Sequence, residues 1–274
     1  SVSSMRVDPI SVPLVQAMAE SGTRTLTIAP EAGSKRLRDV INKTQTEAEL
    51  LAAVDLAESL GFPQLKLYFM VGHPTETDED IQALVEFVKE VRRRFKQGLV
   101  MNATPFVPKP HTPFQWEAMT PAEVVAARQE TIRRELRPVQ VDVLADSPEW
   151  AEVQGVLARG DRRLAQALMR MERLSLGRWK AALAEAGLTQ EDYLGTRTPG
   201  LPLPWDIVES GVSRPFFRYE LRLAQRAQTS DGCPPQAEGC LTCQACGPDW
   251  AFRNRGDLGI RMPISLTPAP VPAG

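Results

Sequence analysis

The sequence predicts an α/β chain in which parallel βα units fill the first third, a helical region follows, and a cysteine-ligated metal module lies near the end. Three observations predict it. Short β-type runs alternate with amphipathic helical patterns as far as about residue 116. From Pro121 onward the apolar spacing turns helical and no strand of comparable strength recurs. All four cysteines, Cys233, Cys240, Cys243 and Cys246, fall within one short stretch.

The elements follow in order. Met5 to Asp8 reads as the end of a strand, which places the start of the chain inside a domain. Thr23 to Ile28 is β-branched and stops at Ala29-Pro30, a natural strand end. A helix is expected from about Ser34 to Asn42. Thr46 with Glu49 forms a capping box that opens another helix, running to about Leu60 and ended by Gly61. Leu65 to Val71 is nearly continuous apolar sequence, the pattern of a parallel strand covered on both faces. Thr77 with Asp80 starts a capped helix through about Arg94, and Leu99 to Val107 gives a third strand. Pro105, Pro108, Pro110 and Pro113 then hold the chain extended. Helices are expected over Glu123 to Leu136, Trp150 to Arg159 and Arg162 to Ala186, the last with a break at Gly177. Gly195 to Trp205 reads as a linker, Phe216 to Ala227 as a helix, and the Pro-rich tail from Leu266 as disordered.

Charge excludes some functions. With 32 basic and 34 acidic side chains the net charge is -2, so no overall field draws the chain to phosphate backbones or anionic membranes. No apolar run approaches the roughly 20 residues needed to span a bilayer. Ser1 to Ile10 lacks the pattern of a signal peptide, and the expectation is a soluble, cytoplasmic protein.

In a βα architecture the working residues lie where strands end and loops begin. Three segments have that placement. In the first, Glu31 follows a strand and Gly33-Ser34 lead into a helix. Such a carboxylate can take ribose hydroxyls or an ammonium group, with Gly33 admitting a ligand to the backbone; alternatively Glu31 only caps the helix. In the second, Gly72 ends a strand, His73-Pro74 shape the turn, and Glu76 or the helix amides can hold polar groups; the plain alternative is a well-capped turn. In the third, an extended segment carries Asn102, Lys109, His111 and Trp116, whose backbone and aromatics can cradle a planar base.

Taken together, APEAGSKRLRDVINK (29–43), KLYFMVGHPTETDED (66–80) and NATPFVPKPHTPFQW (102–116) resemble the fourth-, fifth- and sixth-strand segments of radical S-adenosylmethionine (SAM) proteins. The branch they resemble carries an N-terminal cobalamin-binding-type domain. Further on, ARGDRRLA (158–165), LPWD (203–206) and GVS (211–213) are similar to the C-terminal extension of an uncharacterised subgroup. The resemblance implies a partial parallel (βα) barrel of radical SAM type and the cofactors SAM and a 4Fe-4S cluster, with cobalamin an option for the parent. It implies that Glu31 contacts the SAM ribose or amino group, that Gly72 and its neighbours line the adenosine and methionine moieties, and that the Phe106 to Pro108 backbone packs near the adenine. The family's Cys-x3-Cys-x2-Cys triad is absent from this sequence. Its ligands, the first barrel half and the cobalamin-type domain are then expected on the parent polypeptide or on another chain, and this chain alone is not expected to cleave SAM. The substrate is not readable.

Cys233-x6-Cys240-x2-Cys243-x2-Cys246 supplies four thiolates, a set that fits either tetrahedral zinc or an accessory 4Fe-4S cluster. The Cys-x2-Cys-x2-Cys run favours iron-sulfur, because zinc ribbons place two such knuckles well apart. The expected divisions are 1–116 (barrel half), 117–228 (helical extension), 229–247 (cysteine module) and 248–274 (irregular tail). A second functional class is a non-catalytic metal knuckle that binds RNA or protein, helped by Arg92 to Arg94 and Arg133-Arg134, although charge runs on helices are usually solvated faces.

Overall fold

The computed structural model describes residues 7, 10–231 and 245. The four cysteines, the tail and most of the Met5 to Asp8 segment lie outside the described residues.

The chain opens with α1 (Val12–Glu20), which the sequence reading missed. Ser11 precedes it and Pro13 occupies its first turn, where a missing N–H costs nothing. Then come β1 (Thr25–Glu31), α2 (Lys35–Val40), α3 (Glu47–Ser59), β2 (Gln64–Val71), α4 (Asp78–Arg94), β3 (Gly98–Pro105), a 3-10 turn (Pro113–Trp116), α5 (Ala122–Leu136) and β4 (Asp142–Ala145). The four strands form one sheet in the order β1-β2-β3-β4, and every pairing is parallel. A parallel neighbour must return to the same end of the sheet, and here a helical crossover brings each strand back. Both expected capping boxes are present. The Glu49 carboxylate accepts the Thr46 amide at 2.8 Å, and the Asp80 carboxylate accepts the Thr77 amide at 2.9 Å.

Three expectations need correction. β4 is a strand beyond Pro121; its run of four residues, half exposed and opened by Asp142, was too short to register as a strand pattern. β1 does not stop at Ala29-Pro30 but continues to Glu31 across a register shift after Ile28. β2 is not covered on both faces. Leu65, Leu67, Phe69 and Val71 are buried, while Gln64, Lys66, Tyr68 and Met70 alternate with them as half-buried residues.

The core lies on the first of these faces. Leu26, Ile28, Leu65, Leu67, Phe69, Leu99 and Met101 pack against α3 through Leu50 and Val54, α4 through Leu84 and Val88, and α5 through Val125 and Ile132. The same core takes in Val141 and, half-buried, Val143 and Ala145, so the βα body extends past residue 116 to β4. On the opposite face Thr27, Lys66, Tyr68, Asn102, Thr104 and Leu144 are half-buried or exposed.

The extension contains α6 (Pro148–Arg159), α7 (Leu164–Met169), α8 (Leu176–Glu185), α9 (Glu191–Leu194) and α10 (Arg214–Ala224). The break in the expected helix from Arg162 to Ala186 falls between α7 and α8, and Gly177 lies inside α8 with open space beside it. A second apolar cluster joins Val156, Leu164, Ala167, Trp179, Leu183 and Tyr193. The stretch read as a linker is anchored rather than free: the Arg197 amide donates to the Trp116 carbonyl at 2.8 Å, and Leu203 and Trp205 pack with Trp116, Phe217 and Leu221.

Candidate functional site at the strand ends

The C-terminal ends of β1, β2 and β3 form one edge of the sheet. Glu31 pairs in register with Phe69 and Val71 with Pro105, and the Phe106 amide donates to the Val71 carbonyl at 2.8 Å. Glu31, Gly72 and Phe106 therefore stand on a common rim, each where its strand gives way to a loop. Glu31 holds a left-handed backbone (φ 66) and accepts an ion pair from Lys43 at 2.6 Å. Its carboxylate does not cap α2. Ser34 does so, accepting the Leu37 amide at 3.0 Å.

Several other rim residues are engaged within the protein. Gly33 faces α4, and a Cβ there would lie 2.2 Å from the Leu84 Cα, so the glycine is required by helix packing. The Ser34 hydroxyl donates to Asp80 at 2.5 Å, and the Arg36 guanidinium bonds both Asp80 and the Thr75 carbonyl. These contacts fasten the first rim segment to the second. Burial alone would raise the Asp80 carboxyl, but hydrogen bonds from Arg36, Ser34 and the Thr77 amide outweigh it and hold the pKa below the usual carboxylate range. Arg38, almost fully buried, donates to the carbonyls of Ala32, Gly33 and Gln45 and fixes the loops at both ends of α2.

Glu76 is buried beneath the second segment. One oxygen accepts the Gly72 amide and the Arg128 guanidinium, each at 2.8 Å, and the other faces His73 Nδ1 at 3.2 Å. Gly72 has φ 92, its carbonyl accepts from Thr120 at 2.9 Å, and a Cβ on it would meet Val125 at 2.9 Å. Glu76 and Gly72 thus build the turn from inside. The His73 ring packs against Phe106 with centroids 5.0 Å apart, and Phe106 meets Phe114 edge to face at 5.5 Å. Pro108 is buried next in line.

What remains open to a ligand is smaller than the sequence suggested. Asn102 sits on the half-buried face of β3, in register with Tyr68, and its Oδ1 is buried with no hydrogen-bond donor among the described residues. His73 Nε2 is likewise buried and unpartnered. Glu31 retains a partly exposed carboxylate, 34% accessible. Lys109 projects from the third segment with no carboxylate partner among the described residues, and burial lowers its pKa. Sequence reasoning missed Lys43, Asp80 as a tether, and Arg128. Their partners lie 12, 46 and 52 residues away, and no local spacing signals such pairs.

A parallel sheet flanked by helices, with polar groups gathered at its C-terminal edge, is the geometry of a partial (βα) barrel. Residues 2–88 match the radical SAM superfamily. The radical SAM match spans β1, β2 and the first part of α4, hence two of the three rim segments. The chain is 38% identical over 168 residues to an uncharacterized protein of Methanocaldococcus jannaschii, covering 61% of this chain and 36% of the relative. It is 31% identical over 103 residues to an uncharacterized methyltransferase of Pyrococcus horikoshii, covering 38% and 22%. It is 28% identical over 155 residues to a tRNA-2-methylthio-N(6)-dimethylallyladenosine synthase of Aquifex aeolicus, covering 54% and 33%. The chain therefore spans between about a fifth and about a third of these relatives' lengths. Radical SAM proteins in general use SAM and a 4Fe-4S cluster. Among the described residues no helix is long and apolar enough to cross a membrane.

Proposed function

We propose that this chain is the C-terminal part of a radical SAM enzyme and contributes the strand ends that bind SAM. The observation that carries the proposal is the convergence of Glu31, Gly72 and Phe106 on one rim of a parallel sheet within and next to the matched segment. The donor groups of SAM suit what the rim leaves open. Its amine and hydroxyl hydrogens need acceptors, and the partly exposed Glu31 carboxylate is one. Glu31 takes the ribose hydroxyls or the ammonium group, Gly72 and its turn line the adenosine and methionine portions, and Phe106 to Pro108 pack at the adenine. Gly33, Ser34 and Glu76 act one step back, holding the rim loops in place through Leu84, Asp80 and Arg128.

Bound with its cluster, SAM supplies a 5'-deoxyadenosyl radical or a methyl group. The sequence holds no Cys-x3-Cys-x2-Cys, so no residue of it is assigned to that cluster. The proposal places the triad, the first barrel half and a cobalamin-binding-type domain on the parent polypeptide or on another chain. Cys233, Cys240, Cys243 and Cys246 form a separate accessory iron-sulfur or zinc site.

The test uses the parent polypeptide, reconstituted anaerobically with iron and sulfide. Calorimetry is expected to show SAM binding that Glu31→Ala weakens about ten- to a hundredfold, the worth of one hydrogen bond to a charged group, with the thermal transition little changed. Reductant plus SAM is expected to release 5'-deoxyadenosine. Unchanged affinity returns Glu31 to pairing Lys43 alone; absence of both SAM binding and 5'-deoxyadenosine from cluster-loaded protein rejects the reading.

A further inference from the structure

A cavity lies away from the rim. It has a volume of about 440 Å³ and lies between the third rim segment and the extension, lined by His111, Gln115, Phe217, Arg214 and the loop from Asp206 to Val212. That loop joins LPWD to GVS, so these two motifs and the segment leaving β3 enclose one space.

Its walls are fixed. Gln115 is 3% exposed, and its Oε1 accepts Trp205 Nε1 at 2.7 Å and the His111 amide at 3.2 Å. This joins the segment after β3 to the extension at the floor of the cavity. His111 takes a left-handed backbone (φ 55), which is strained for a non-glycine residue and persists only when its surroundings impose it. Its ring makes no hydrogen bond or ion pair among the described residues. The Thr112 hydroxyl, bonded to the Lys109 carbonyl at 2.8 Å, closes the same turn.

The charges in the cavity do not balance. Asp206 accepts the Leu203 amide and pairs with Arg214, which neutralises the only arginine that lines the cavity among the described residues. Glu209 has no cationic partner among the described residues. Around it stand Ile207, Val208, Val212 and Phe217, with Ile207 92% exposed on a loop otherwise tied down at both ends. Phe217 and Val212, beside a carboxylate with no cationic partner among the described residues, favour an apolar or aromatic body bearing a positive head, whereas an anion would be repelled by Glu209. The volume is in the range of small-molecule sites.

We infer that this cavity binds an organic ammonium ligand, its charged head at Glu209 and its apolar body against Val212, Ile207 and Phe217. The inference does not rest on SAM binding, because none of these residues belongs to the proposed SAM rim. His111 nevertheless lies five residues after Phe106, so the occupant sits at the far end of the segment that begins at the rim.

The probe is benzylamine, titrated into the full chain with 13C-labelled Ile and Val methyls, with benzoate and benzyl alcohol as matched anionic and neutral controls. Expected are saturable shifts of the Ile207, Val208 and Val212 methyls, weaker binding of benzyl alcohol, and binding of benzoate that is weaker still. Glu209→Gln, on an exposed loop where folding is not at stake, is expected to weaken benzylamine about three- to fivefold and leave benzyl alcohol unchanged. Absence of saturable shifts, equal affinity for benzylamine and benzoate, or a Glu209→Gln variant that binds benzylamine like the parent would each overturn the inference. Loss of SAM binding in the reconstituted enzyme would leave it standing.

Discussion

Arg128, on α5, places its guanidinium 2.8 Å from the carboxylate of Glu76, in the turn after β2, and so couples a helix of the outer layer to the rim. The Glu76 side chain is 1% exposed and that of Arg128 15%, so the pair is largely shielded from water.

Arg128→Met is expected to destabilise the chain by about 2–4 kcal/mol, because it strands a buried carboxylate. Adding Glu76→Gln, which keeps an acceptor for the Gly72 amide, should recover part of that loss. Urea unfolding of the two single variants and the double variant measures the coupling; additive losses would show that the pair does not act as a unit.

The two rim glycines should differ in what they tolerate. Gly33→Ala sets a Cβ against the backbone of α4, which cannot move aside, and is expected to cost about 3 kcal/mol or more. Gly72→Ala meets the tip of Val125 and a left-handed φ, and is expected to cost about 1–3 kcal/mol. Thermal unfolding ranks them, and the opposite order would contradict the packing described for Gly33.

Asp80 makes the tether between the first two rim segments pH-dependent. Its folded pKa is depressed, so its stabilising contribution is complete above the unfolded value of about 3.9 and is lost as pH falls through the lower folded value. The stability gap between the natural protein and Asp80→Asn should therefore be constant from about pH 5 to 7 and shrink below about pH 4. Denaturant titrations at pH 3, 4, 5 and 7 check this; a gap that widens on acidification reverses the sign and refutes it.

If the proposed accessory site exists, Cys243→Ala is expected to abolish its metal binding while the βα body stays folded. Elemental analysis and visible absorption of anaerobically prepared protein distinguish iron from zinc. Natural protein that holds neither metal would withdraw the site.

Three of the four strands and the long helices were legible because their signals are local. Thr46 with Glu49 and Thr77 with Asp80 are capping pairs three residues apart, and Thr23 to Ile28 and Leu99 to Val107 carry strand composition over enough residues to stand out. β4 was not legible, because four half-exposed residues owe their conformation to pairing with Val100 to Ala103 rather than to propensity. The rim residues fell where the segments implied. Their roles did not follow from position: Gly33 answers to Leu84, Ser34 to Asp80 and Glu76 to Arg128, all contacts made by tertiary packing. Gly177 misled because a glycine on an open helix face costs only about 1 kcal/mol and need not end the helix.

The strand order has a kinetic meaning. Because the spatial order equals the chain order, each strand pairs with the one made just before it, and Thr25 and Gln64, side by side in the sheet, are separated by only 39 residues. A sheet whose first strand waits for its last must hold an unpaired edge through most of synthesis, and exposed edges of that kind seed aggregation. Here each βα unit can dock as it leaves the ribosome, at about 5–20 residues per second, several seconds before the next strand arrives. The sheet then grows from one side, and the loops at its rim are completed in sequence, the Arg128 clasp on Glu76 closing only once α5 has been made.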